Sequence, residues 1–142
     1  MLRHAARCAR VIESTEQYKR HGGNQVKSFE IVGAAKDLKS LEFKKLAAFN
    51  RGSVGVFHSE AGISPWERHP DDDEFLFVLE GSVEIIVLTD GGPTWTAIQA
   101  GSGFVVPRGL WHRHRVTARL VELWATPGES EHSNAEDPRV DR

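Results

Sequence analysis

The run Trp66-Glu-Arg-His69-Pro-Asp-Asp-Asp-Glu74-Phe-Leu-Phe-Val-Leu-Glu-Gly81 decides the fold. It places Glu67, His69 and Glu74 within eight positions and then turns apolar from Phe75 to Leu79. Residues two apart on an extended strand share a face, so Glu67 and His69 point the same way. Pro70 cannot donate to a sheet ladder, so a strand carrying both must end or bulge there. Asp71-Asp72-Asp73 is a like-charged corner suited to solvent.

A second run, Gly101-Ser-Gly-Phe-Val-Val-Pro107-Arg-Gly109-Leu-Trp-His112, brings another imidazole after a turn marked by Pro107 and Gly109. Together the two runs resemble the two-part signature of the cupin superfamily, over roughly residues 50–127. The chain departs from that signature twice. Glu67 stands where a His is usual, and Val116 stands where many cupins carry Asn. The resemblance implies an all-β, antiparallel double-stranded β-helix, or jelly-roll barrel, often with a metal inside. It also implies a homodimer.

The residues support the same architecture independently. Phe75–Leu79 and Val83–Leu88 read as strands joined at a Glu80-Gly81-Ser82 hairpin, with Asp90-Gly91 as the next turn. Further strands are expected at Val54–His58, Trp95–Gln99, Phe104–Val106, Trp111–Val116 and Leu120–Ala125, and a short one at Phe29–Val32. Leu41–Phe49 fits strand or helix. Short strands with turns every 8–12 residues mean a sandwich or barrel. Gly81, Gly101 and Gly109 mark positions where a positive φ is expected. Residues 1–24 form an N-terminal extension, with helical turns over Ala5–Ile12. Residues 25–128 form the barrel, with a loop at Ser59–Pro65. Residues 129–142 are a polar tail expected to be extended or disordered.

Composition limits the function. A chain of 142 residues with 39% apolar and 27% charged residues suits one globular domain. A net charge of −2 gives no broad pull toward nucleic acid or anionic membrane. No run approaches the ~20 apolar residues of a membrane span. Cys8 is the one cysteine, which excludes an intrachain disulfide and favours a reducing, cytoplasmic setting.

Carboxylates and imidazoles inside a barrel need partners, because an unpaired buried charge costs several kcal/mol. A divalent transition metal (Fe, Mn, Ni or Zn) would neutralise Glu67 and Glu74 and accept His69 and His112. Other arrangements remain open: Glu67 pairing with Arg68 or Arg113, His69 bonding Asp71 or Asp72, or Glu67 and Glu74 acting as a metal-free acid/base pair. The expected pocket for a small-molecule ligand is walled by Trp66, Trp111 and Trp124, with His58 and His114 along it. Glu122 is a possible acceptor for an imidazole N–H, and Arg108 and Arg113 are possible carboxylate receivers. The expected function is a small metalloenzyme of dioxygenase, isomerase or cyclase type, with Glu67 or Glu74 moving a proton. The alternative is a non-catalytic, metal-free small-molecule binder.

Overall fold

A computed structural model describes residues 10–13 and 28–140. The elements are β1 (Arg10–Glu13), α1 (Ile31–Ala35), β2 (Glu42–Phe49), β3 (Gly52–Ile63), β4 (Trp66–Arg68), β5 (Glu74–Thr89), β6 (Gly92–Gln99), β7 (Gly103–Val106), β8 (His112–Thr126) and β9 (Glu131–Ser133). They form one curled sheet, an all-β jelly-roll barrel. Every strand pair is antiparallel except β1 with β2.

The long strand β8 is the hub, pairing with β3, β4 and β5. Its even-numbered side chains from His112 to Val116 and from Leu120 to Thr126 are buried. Alternation along the strand accounts for this. Val116, Leu120 and Trp124 meet Phe57 of β3 and Leu76, Val78, Val83, Ile85 and Val87 of β5 in the main core. Glu74, His112, His114 and Glu122 ride on these inward faces.

Gly81 bends the chain but does not reverse it. Phe75–Leu79 and Val83–Leu88 are one strand, and both halves pair with β8. The expected hairpin is absent because Gly81, at φ 78, turns the strand against β8. A Cβ there would lie 1.9 Å from the Arg119 carbonyl oxygen. Asp90-Gly91 does close a hairpin, with Thr89 opposite Gly92. Likewise, the two strands expected between Trp111 and Ala125 are the single strand β8.

Other departures have clear causes. Phe29–Val32 is not a strand: Ile31, Ala34, Ala35 and Leu38 follow a helical period and pack on Val56 and Val121 from outside the barrel. Strand β3 runs through the Ser59–Ile63 part of the expected loop, because Arg115–Leu120 supplies its partners. Leu41–Phe49 resolves as strand from Glu42 on. Of the helix expected at Ala5–Ile12, Arg10–Ile12 lie in β1, and the rest falls outside the described residues. Residues 129–140 lie against their own chain, extended where they form β9. Strand β9 pairs with β4, and Pro138 is buried.

Candidate metal centre

Four side chains from three strands and one bend converge inside the barrel. Glu67 lies on β4, Glu74 opens β5 and His112 opens β8. His69 follows β4 on the bend at Pro70. That bend is held from across the chain, where Gly109 N–H donates to the His69 carbonyl at 2.7 Å. The Pro107–Gly109 turn thus sets the first half of the signature against the second. One candidate ligand atom from each of the four lies within 4.8 Å of the others.

The spacings are tight. His112 Nε2 is 2.9 Å and His69 Nε2 3.2 Å from Glu74 Oε2. Glu67 Oε1 is 3.6 Å from His69 Nε2, and Glu67 Oε2 is 3.9 Å from His112 Nε2. Donors at metal bond lengths of about 2.0–2.2 Å stand about 3–4 Å apart, so one ion fits between them. Yet His69 Nε2, Glu74 Oε2 and His112 Nε2 are buried without a hydrogen-bond partner. Their nearest polar neighbours are one another, out of hydrogen-bond alignment, and a cation among them would satisfy all three.

The outer atoms of Glu74 and His69 are held, and Glu67 Oε1 is shared between His69 and an outer imidazole. Thr126 Oγ1 donates to Glu74 Oε1 at 2.8 Å. Ser130 Oγ lies 3.0 Å from His69 Nδ1, and His132 Nε2 lies 3.4 Å from Glu67 Oε1. His112 Nδ1 is buried without a partner. Burial pushes the Glu74 carboxyl up, but the His112 and His69 imidazoles outweigh it and hold it well below the usual carboxylate range. Glu67 is also lowered: burial and the Glu74 charge push it up, and His132, His112 and His69 prevail. His69 is raised, because Glu74 and Glu67 overcome the effect of burial.

A cavity of about 180 Å3 adjoins the quartet, lined by Phe43, Ser53, Glu67, Glu74, Trp124, Thr126, Gly128, Ser130 and His132. Trp124 is therefore the one expected pocket tryptophan on its wall. Trp66 points to the opposite face from Glu67 and packs with Ile86, Leu88 and Trp111 outside the barrel. Strand alternation puts it there. Arg113 stacks on Trp66 at 4.1 Å and Arg68 on Trp111 at 4.8 Å, so neither arginine pairs with Glu67. His58 also faces outward, under α1, with Nδ1 3.1 Å from the Leu38 carbonyl oxygen. His114 is inside but away from the cavity, its Nε2 2.7 Å from Glu122 Oε1. Glu122 is thus an imidazole partner, as its position suggested. His69 meets Ser130 rather than Asp71 or Asp72; Asp72 pairs with Arg51 at 3.1 Å. Ser130 and His132 were missed by sequence reasoning. The available signal was an imidazole and two hydroxyls, at 132, 130 and 133, in a tail with little else to place.

A model of the cupin domain matches residues 55–125, half of the chain. The chain belongs to the cupin family. Among relatives of this cupin, germin-like protein 5-1 of Oryza sativa subsp. japonica is 38% identical over 73 residues, which are 49% of this chain and 33% of that protein. The matched part thus spans about a third of that relative's length. A cupin-2 domain protein from Shewanella frigidimarina has a similar fold, with TM-score 0.58 and 22% identity, over 68% of this chain and 90% of its own. So does hydroquinone 1,2-dioxygenase PnpCD, solved with Cd2+ and 4-hydroxybenzonitrile, with TM-score 0.60 and 20% identity over 78% and 83%. No helix among the described residues is long and apolar enough to cross a membrane.

Proposed function

We propose that Glu67, His69, Glu74 and His112 hold one divalent transition metal, Fe, Mn, Ni or Zn, and that the protein is a metal-dependent enzyme. Its substrate would be a small, flat organic molecule in the adjoining cavity. The observation that carries this reading is the crowding of His69 Nε2, Glu74 Oε2 and His112 Nε2, buried and out of hydrogen-bond alignment, about one point. Two imidazoles with two carboxylates suit all four metals. When bound, such an ion supplies Lewis acidity or a template that brings substrate and a second reactant together.

The residues around it define the rest. Phe43 stacks on Phe57 with ring centroids 4.4 Å apart and meets Trp124 edge-on at 6.4 Å, forming an apolar flank. Ser53, Thr126, Ser130 and His132 form a polar flank. The volume of about 180 Å3 is near the roughly 150 Å3 that accepts benzene in an engineered cavity. Among the described residues its lining is aromatic and hydroxylic, with Glu67, Glu74 and His132 as its ionisable groups. A single-ring phenol or an enolised diketone, ligating through oxygen, fits this wall best. The similarly folded dioxygenase solved with 4-hydroxybenzonitrile is in keeping with that choice. Glu74, held by His69, His112 and Thr126, serves as a ligand. Glu67 faces the cavity beside His132, and this pair is placed to take and pass on a substrate proton.

Metal analysis of purified protein tests the claim, with near-stoichiometric metal expected. Oxygen uptake or substrate loss with hydroquinones, catechols and small diketones then tests turnover. Tight binding of such compounds without consumption would leave the metal site and refute the enzyme. A homodimer belongs to the same reading. Phe75 and Val105, cross-strand neighbours on the outer face, are 41% and 53% exposed and offer an apolar contact for a second copy. Sedimentation at micromolar concentration checks it.

A further inference from the structure

The C-terminal segment from Gly128 to Ser133 does more than roof the cavity. Pro127 follows the end of β8, and Gly128, at φ 81, turns the chain back across the aspartate corner. The positive φ favours glycine here, and Asp72 Oδ2 lies close against it. Strand β9 then adds to the edge of β4. The register sets His132 opposite Glu67, and Glu67 opposite His112. Residues directly opposite on paired strands share a face, so one row runs His132, Glu67, His112 across three strands. Outside the row, the Arg68 guanidinium binds the Glu131 carboxylate and pins the segment.

Two contacts from this segment reach the quartet. Ser130 Oγ meets His69 Nδ1, and His132 Nε2 meets Glu67 Oε1. Both contacts fall on the side of the ligand turned away from the centre or shared with it. Ser130, with the neighbouring Glu129 backbone, holds the outer edge of the His69 ring and leaves Nε2 for the centre, and His132 restrains the Glu67 carboxylate. Glu67 occupies the position where the related signature has an imidazole. A carboxylate there has a freely turning pair of oxygens, and a neighbouring N–H limits that freedom.

We infer that Ser130 and His132 are positioning residues for the metal centre, acting through His69 and Glu67, so that the site is complete only with the C-terminal segment docked on β4. The inference rests on the metal reading proposed above and adds residues outside the cupin signature to it. Partners of this kind typically change metal affinity 10–100-fold.

Co(II) titration of the purified full-length chain, in competition with a chromophoric chelator, tests it. Ser130→Ala and His132→Ala should each weaken Co(II) binding about 10–100-fold and alter the visible Co(II) spectrum. Thermal unfolding of metal-free Ser130→Ala should match wild type, since that side chain lies near the surface, and metal-free His132→Ala should lose no more than its share of the pH-dependent stability. Ser130→Thr, which keeps the hydroxyl, should restore affinity. Wild-type affinity in both alanine variants overturns the inference and leaves the quartet standing. An affinity loss that Ser130→Thr does not restore, or that follows a matching loss of metal-free stability, also overturns it. Wild-type protein that binds no Co(II) removes the metal reading itself, and this inference with it.

Discussion

The barrel buries two groups of carboxylate and imidazole, and they are built differently. His114 and Glu122 close on each other at 2.7 Å, and the His114 backbone N–H donates to Ser64 Oγ at 2.9 Å. Only Glu122 Oε2 in that pair lacks a partner. Two residues back along β8, His112 joins Glu67, His69 and Glu74 at 2.9–3.9 Å, and three of their inward atoms lack hydrogen-bond alignment. The same residue types therefore serve two ends. The pair closes mainly on itself, whereas the quartet crowds its donors about an open point that a cation would satisfy.

The largest effect expected from this contrast is on the closed pair. Glu122→Gln leaves a buried His114 without its counter-charge, and removing one partner of a buried pair costs about 3–5 kcal/mol. Urea unfolding of the metal-free protein measures it. Metal stoichiometry of whatever remains folded should stay at the wild-type value. A small loss would mean that water reaches Glu122 and that the two groups are less distinct than their geometry suggests.

Next in size is the stabilisation that a ligand brings to the quartet. At a free metal concentration 100 times its Kd, wild type should gain about 2.7 kcal/mol. His112→Ala should lose that gain entirely and bind metal more than 100-fold more weakly, beyond the range expected for outer partners. Equal metal-induced shifts in Tm for wild type and His112→Ala would break the comparison. The ion would then bind elsewhere.

The pair also gives stability a pH slope. Burial alone would lower the His114 pKa, but the Glu122 charge and hydrogen bond raise it above the ordinary 6.5. A group raised on folding stabilises fully below its unfolded pKa and loses that contribution as pH rises through the folded value. Metal-free stability should therefore decline from about pH 6 upward through mild alkali. His69 and His132, raised by Glu74 and Glu67, add to the same slope. Glu122→Gln should remove the His114 share and leave the rest. An unchanged slope would assign it wholly to the quartet and its neighbour.

Much of this was legible in the sequence, and the failures are physical. The strands, the Asp90-Gly91 turn and the meeting of Glu67, His69, Glu74 and His112 followed from alternation, turn chemistry and the cupin resemblance. The site could be read because a strand fixes which face each residue takes. The error at Gly81 arose because a left-handed glycine bends a strand as readily as it ends one, and only β8 across the sheet decides. Trp66 and His58 were placed in the pocket for their chemistry, although parity with Glu67 and Phe57 puts them outside. Ser130 and His132 escaped because β9 is three residues long and stable only through β4. A local pattern cannot show such a strand.

The smallest expected effect separates two ways in which that strand matters. Arg68 and Glu131 form an ion pair at the surface, with side chains 23% and 47% exposed. Such pairs contribute about 0–1 kcal/mol, and salt screens them. Glu131→Gln should thus change metal-free stability by less than about 1 kcal/mol and Co(II) affinity by no more than a few-fold. The segment still pairs with β4 through its backbone, and Ser130 and His132 still reach the quartet. Its effect on affinity should fade in high salt, whereas the loss in Ser130→Ala should persist, because that contact is short-ranged. If Glu131→Gln instead weakened the metal as much as Ser130→Ala does, docking of the whole segment would govern the site. The two side chains would then be passengers on it.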